Sequence, residues 1–270
     1  MSLTPLPLRI APTFLFGSRR AVRLIERNIY VYRHGWIVLF SGFFEPLFYL
    51  VGIGFGLGRL VGDVAGPSGE PIPYQLFVAP ALLASSSMNG AIAESTFNFF
   101  FKLRYNKTFE SILSTPMSPG DIALGEIGWA LIRGGLYAIG FLIVMVILGL
   151  AVTPWLILAL PAALLLGFAF AGAGMAATSY MRTWQDFDLI QLVIMPLFLF
   201  SGTFFPLESY PEPVRVIVQL TPLYQGVDLI RSLAVGHIGP SVLVHVVYLA
   251  VMGLVGMAIV NRRLDKLLLK

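Results

Sequence analysis

Four ionisable residues stand where an apolar chain has least use for them. Glu45, Glu94, Glu126 and Arg133 each lie within or at the edge of a long hydrophobic run. A charge at bilayer depth is costly, so such groups either pair between helices or mark a path for ions or substrate. Glu126 and Arg133 sit two helical turns apart on one face, out of each other's reach, so each needs a partner elsewhere. Pairing that holds a helix bundle together is the plainer expectation. An ion-coupled carrier or channel built on Glu45 and Arg133 is the alternative.

Other chemistry finds little footing. A phosphate-cradling loop needs glycines before a Lys-Ser/Thr pair; Lys107-Thr108 supplies the pair, but Asn106 stands where glycine belongs. If ATP drives this protein, ATP and Mg²⁺ are expected on a partner chain, with no cofactor and no catalytic residue here. His34, His237 and His245 fall in different segments, so no metal site is expected, and no Gly-x-Ser-x-Gly elbow occurs. Asp186/Asp188 and Asp121/Glu126 flank apolar runs; a single Asp-x-Asp is a poor match to the aspartate clusters of an enzyme acting on lipid diphosphates. Cysteine is absent, which excludes disulfides and thiol nucleophiles.

The elements that must position these groups follow from hydropathy. The chain is 57% hydrophobic and 12% charged, with mean hydropathy +0.83; a soluble domain carries about 25% charged residues. The expected fold is an all-α integral membrane protein with six transmembrane helices, at about 36–57, 74–97, 127–150, 155–180, 189–205 and 242–260. Before them, Ser18 caps a basic amphipathic helix through His34, with Val22, Ile25, Ile29 and Tyr32 on one face, which reads as an interfacial helix lying on membrane lipid. The proline-rich lead (Pro5, Pro7, Pro12) is not expected to be a cleaved signal. Glycines at 52, 54, 56 and 58 in span one have the small-xxx-small spacing that lets helices approach closely. Between 206 and 237 the pattern gives two short helices, Glu212 to Leu220 and Pro222 to Val235, with Thr221 as cap and Gly236 as stop.

Fourteen of the 18 Lys and Arg residues fall on the side that holds both termini and the loops at 98–122 and 181–188. The positive-inside rule puts that side in the cytoplasm. The same distribution, in short blocks beside apolar runs, argues against nucleic acid despite a net charge of +4. The longest polar interruption on that side is Glu94 to Glu126. At its centre Phe109, Ile112 and Leu113 share one helical face, with Lys107, Glu110 and Ser114 elsewhere, and Thr115-Pro116 ends the helix. Such a segment reads as a docking element for a partner this chain lacks. Ser86 and Asn89 in a polar patch of span two, with Phe97, and Phe198, Thr203 and Phe204 around span five are candidates for an amphipathic pathway. Ordinary helix packing is the competing account. No internal repeat of the kind found in secondary carriers is evident.

Three pieces carry a resemblance that covers nearly the whole chain: EPLFYLVGIGFGLG (45–58), MNGAIAESTFNFFFKLRYNKTFESILSTPMSPGDIALGE (88–126) and PLFLFSGTFFPLESYPEPVRVIVQLTPLYQGVDLIR (196–231). They resemble the ABC-2 type transporter permeases, and within them the NodJ-like subgroup of lipo-oligosaccharide exporter subunits and drug-resistance permeases. The resemblance implies the ABCG-like exporter fold, with an interfacial helix, six spans and a re-entrant helix pair at 206–237. It implies a coupling helix at about 106–115 seated in a cleft of a cytosolic ATPase subunit, and so an interface of Asn106, Lys107, Phe109, Glu110, Ile112, Leu113, Thr115 and Pro116. It further implies a second permease chain, a bacterial plasma-membrane location, and an amphipathic substrate (a lipid-linked glycan, a lipo-oligosaccharide or a hydrophobic drug) passing beside spans two and five.

Overall fold

The computed structural model describes residues 14–32, 44–67 and 69–269, and the side chains from Arg20 onward within that range. His34 and the first part of the expected span one, 36–43, lie outside the described residues.

The described chain is helical save for one hairpin. α1 covers Phe14–Tyr32 and α2 Phe44–Val61. The antiparallel hairpin β1 (Asp63–Ala65) and β2 (Pro71–Pro73) precedes α3, Tyr74–Tyr105. A short α4, Thr108–Leu113, leads to α5, Pro119–Ile147, and then α6, Pro154–Tyr180. α7 is Phe187–Phe200, α8 Glu212–Leu220, α9 Pro222–Val235 and α10 Ser241–Leu268. Among the described residues α2, α3, α5, α6 and α10 are long and apolar enough to cross a membrane. The expected fifth span differs: α7 has 14 residues, a rise of ~21 Å. Its backbone turns at Ser201 and at Gly202 (φ +69°) instead of continuing to Phe205.

α3 is the most enclosed of the long helices. It packs on α5, α6 and α9, with Phe77, Leu82, Leu83 and Met88 fully or almost fully buried. α6 and α10 lie backbone to backbone: a Cβ on Gly256 would come within 2.4 Å of the Gly172 carbonyl carbon, so only glycine permits this crossing. The glycine run of α2 serves that purpose at one end, where a Cβ on Gly58 would come 2.9 Å from Gln75 Nε2 and 3.5 Å from the Tyr74 ring of α3, but not at its start. A Cβ on Gly52 meets nothing within 4 Å, and one on Gly54 meets only Leu50 of the same helix. That stretch, Leu50–Leu57, is wound as a π-helix instead. α1 is no free surface helix either. Ala21, Leu24 and Asn28 are buried against α5, and Gly125 admits Leu24 where a Cβ would clash at 2.8 Å. Val22 and Ile29 remain exposed on the other side.

Hydrogen bonds between distant segments gather the loops into two ends. Arg20 donates to the Pro116 carbonyl, Arg104 to the Met181 carbonyl and Arg263 to the Ser179 carbonyl, so α1, α4, the 181–186 turn and the end of α10 share one end. At the other, the Tyr74 hydroxyl donates to the Phe204 carbonyl and Thr153 to the Leu233 carbonyl. There α9 starts on Thr221, whose hydroxyl accepts from the Tyr224 amide, and stops at Gly236 with φ +88°. These are the residues whose cap and stop chemistry mark the helix in the sequence.

Candidate coupling site and its charge brace

The segment between α3 and α5 is built to be stiff. Lys107 enters α4 at φ 48°, the one positive-φ residue other than glycine among those described. Left-handed backbone costs a non-glycine residue ~1–2 kcal/mol, so packing beyond the turn holds it there. Phe109 supplies that packing: it is fully buried, with its ring 5.2 Å from that of Phe99 on α3. After α4, Ser118 caps α5 reciprocally. Its hydroxyl accepts from the Asp121 amide at 3.2 Å, and the Asp121 carboxylate accepts from the Ser118 amide at 2.9 Å, with Pro119 in the first turn.

Docking through an apolar face is therefore corrected. The Phe109 side of α4 faces its own bundle, with Ile112 and Leu113 half-buried against the same cluster. Asn106, Lys107, Glu110, Thr115 and Pro116 are exposed, joined by Ser111 and Ser114. The outward face is polar because a six-residue helix has one apolar stripe, and α3 takes it.

Behind the segment, the buried charges pair. Lys102 Nζ lies 2.6 Å from Glu126 Oε2, and Asn28 of α1 bridges them, donating to Glu126 at 3.5 Å and accepting from Lys102 at 3.4 Å. Arg133 pairs with Glu94 and donates from Nε to the Tyr137 hydroxyl at 3.0 Å. Glu94, Glu126 and Arg133 are all buried. Tyr32 of α1 stacks on Trp129 at 5.3 Å; burial, followed by the nearby Glu94 carboxylate, raises its phenol above the usual range. α1, α3 and α5 are thus riveted together by charge. The acidic and cationic partners on α3 coincide with its π-helical turns, Glu94–Asn98 and Phe101–Tyr105. Each widened turn shifts the helical register by a residue. Sequence reasoning found Glu94, Glu126 and Arg133 but not their ties to Lys102, Asn28 and Tyr32. The usable signal was a lysine near the end of a long apolar helix. Glu45 is outside this brace, exposed on α2.

Of the six pathway candidates, Phe198 and Phe204 meet edge to face with ring centroids 5.3 Å apart, but the six do not gather at one open surface. Ser86, Thr203 and Phe204 are buried in the packed interior, and Asn89 and Phe198 are half-buried. Phe97 sits in an aromatic cluster with Phe101, Trp184 and Phe187, ring centroids 4.9–5.5 Å away. A cavity of about 590 Å³ opens between α6 and α7, and none of the six lines it. The opposite end carries a clamp on α9 that the sequence reading did not single out. Arg231 is buried, donates to the Phe77 and Gly202 carbonyls at 3.1 and 2.7 Å, and stacks 3.7 Å over the Phe77 ring.

Residues 20–235 match the ABC-2 type transporter family. The chain is 34% identical over 256 residues to nodulation protein J of Rhizobium leguminosarum bv. trifolii, covering 92% of this chain and 95% of that one. It is 36% identical over 227 residues to nodulation protein J of R. leguminosarum bv. viciae, covering 82% and 85%. It is also 26% identical over 195 residues to the inner membrane transport permease YadH of Escherichia coli K12, covering 71% and 72%. With the helical membrane fold, these matches establish that the chain belongs to the ABC-2 type transporter family, whose members are non-catalytic membrane subunits of ABC transporters.

Proposed function

We propose that this chain is the permease of an exporter that moves an amphipathic substrate, a lipid-linked glycan, lipo-oligosaccharide or hydrophobic drug, across a bacterial plasma membrane. A separate cytosolic ATPase drives it, and a second permease chain completes the pathway beside α3 and α7. Both termini, α1 and the 106–118 segment face the cytoplasm, in keeping with the cation distribution. The observation that carries the reading is mechanical. An exposed polar helix face, Asn106, Lys107, Glu110 and Ser111, is anchored by buried Phe109 and flanked by two helices braced through Lys102–Glu126 and Glu94–Arg133. A push on α4 is delivered to α3 and α5 together, because the ion pairs between them are desolvated and costly to separate. Closure of the ATPase dimer on ATP would move α4, and the bundle would rock between inward-open and outward-open states. The pairing of Arg133 with Glu94 favours this lever over an ion relay.

The test is capture and coupling. The chain is co-expressed with candidate ABC ATPase subunits from the same genome, and Glu110→Arg is compared with wild type. The variant should keep its helix content and melting temperature but lose ATPase co-purification and ATP-dependent export. A wild-type chain that recruits no ATPase, or that exports at full rate without ATP, would sink the proposal.

A further inference from the structure

The first turns of α10 hold a histidine in a polar setting that the charge brace at the other end does not use. His245 is buried, and both of its ring nitrogens face oxygen on α9. Nδ1 contacts the Gln225 amide oxygen. That amide is oriented from its other side, where Gln225 Nε2 donates to the Gln219 carbonyl of α8 at 2.6 Å. Nε2 lies 3.0 Å from Asp228 Oδ2, off the line of a straight hydrogen bond but within ion-pair distance. A neutral imidazole has one N–H and one lone pair, whereas both nitrogens of the cation are donors. With its proton on Nδ1, a neutral ring turns a lone pair toward the carboxylate; with its proton on Nε2, toward the amide oxygen. Only the imidazolium offers hydrogen to both.

The other charges at this end are engaged elsewhere or lie apart. Asp228 lines a polar cavity of about 170 Å³ with Glu208, Tyr224, Arg231 and His237. Arg231 gives its Nε and Nη2 hydrogens to the Phe77 and Gly202 carbonyls. Among the described residues no Lys or Arg lies within ion-pair distance of Asp228. On α8, Arg215 donates to the Glu208 and Tyr210 carbonyls, and Glu212 is exposed in the first turn. The stretches 138–147 of α5 and 154–179 of α6 carry no titratable side chain. On α10 itself, Tyr248 donates to the Leu220 carbonyl at 2.7 Å. Two polar contacts thus tie the start of α10 to the α8–α9 pair, and one of them needs a titratable proton.

We propose that His245, Asp228 and Gln225 form a pH-sensitive latch between α9 and α10, closed while the ring is an imidazolium and loosened when its second proton leaves. The attraction between cation and carboxylate is present on the acid side and is lost as pH rises through the titration of the ring. Asp228 is partly exposed to the cavity, so the latch answers to the solution at the end that holds the 206–240 segment. This goes beyond the exporter reading and does not depend on it.

The chain has no cysteine, so spin labels can be placed without background. Ile217→Cys on α8 and Leu243→Cys on α10, both exposed, report the separation of the helix pair from α10 in the full chain in lipid nanodiscs. The distance distribution is read from about pH 5 to about pH 9, a span that brackets histidine titration, and nitrogen-15 spectra of labelled histidine follow the ring's charge. Wild type should be narrow on the acid side and broaden with rising pH, at the midpoint where the His245 ring loses its charge. His245→Gln and Asp228→Asn should be broad throughout. His237→Gln, in the same cavity, should keep the wild-type transition. Gln225→Leu, which lets a neutral ring hold its proton toward Asp228, should blunt the broadening, and it serves as the test if His245→Gln fails to fold. The proposal is overturned by a wild-type distance that ignores pH, by a transition that survives in His245→Gln, or by a ring that changes charge while the distance stays fixed.

Discussion

Arg133 shows what a single side chain does in this bundle. Its guanidinium is buried, paired with Glu94 and bonded to Tyr137, so its removal strands a carboxylate in a dry interior. Arg133→Leu should therefore cost ~3–5 kcal/mol, while Glu94→Leu/Arg133→Leu should recover most of that loss, since two apolar residues leave no unpaired charge. Chemical denaturation in detergent measures both; equal instability of the single and double variants would show the pair is not the source. Asp186 permits a pH prediction of opposite character, because it is exposed to solvent. The Thr183 and Arg182 amides hold its carboxyl below the ordinary range. A depressed carboxyl stabilises the cap above its unfolded value, and that contribution is lost as pH falls through the folded value. The start of α7 should therefore be insensitive to pH near neutrality and loosen only in acid. In a variant with Trp184 as sole tryptophan, the acid fluorescence transition should vanish with Asp186→Asn.

At the scale of elements, α4 is a short helix whose entry is strained and whose apolar stripe is spent inward. Lys107→Gly removes the left-handed cost at φ 48°, and by itself should stabilise the chain by up to ~1 kcal/mol, seen as a raised melting temperature. The same glycine enlarges the freedom of the joint, so export per ATP hydrolysed should fall even as the fold strengthens. A rise in both would mean that stiffness at Lys107 does not matter to coupling. α4's limits were legible in Asn106–Thr115, because Pro116 and Pro119 are local stops. The direction of its apolar face was not, because Phe109 meets Phe99 only when α3 folds back alongside.

Across the whole molecule, the α6–α10 crossing is the least forgiving contact. Gly256→Leu would drive a side chain into the Gly172 backbone, 2.4 Å from where its Cβ begins. The expected result is a chain that inserts but does not pack α10, read as lost monodispersity in size-exclusion chromatography, whereas Gly52→Leu, in open space within the chain, should fold as wild type. Both glycines sit in similar sequence surroundings, and nothing local tells them apart. Membrane class and the Thr221 cap and Gly236 stop of α9 were readable from residues, since run length and i to i+4 chemistry depend on near neighbours, whereas α5 begins at Pro119, capped by Ser118, eight residues before the expected start at 127. The Lys102–Glu126 pair spans 24 residues, Arg133–Glu94 spans 39 and Asn28–Glu126 spans 98. Those partners, the inward turn of Phe109, the open space at Gly52 against the close approach at Gly58, and the crevice beside α7 all depend on how far each helix rotates and how near it comes to the next. Helix rotation and approach are set by packing between distant segments, and no spacing along the chain encodes them.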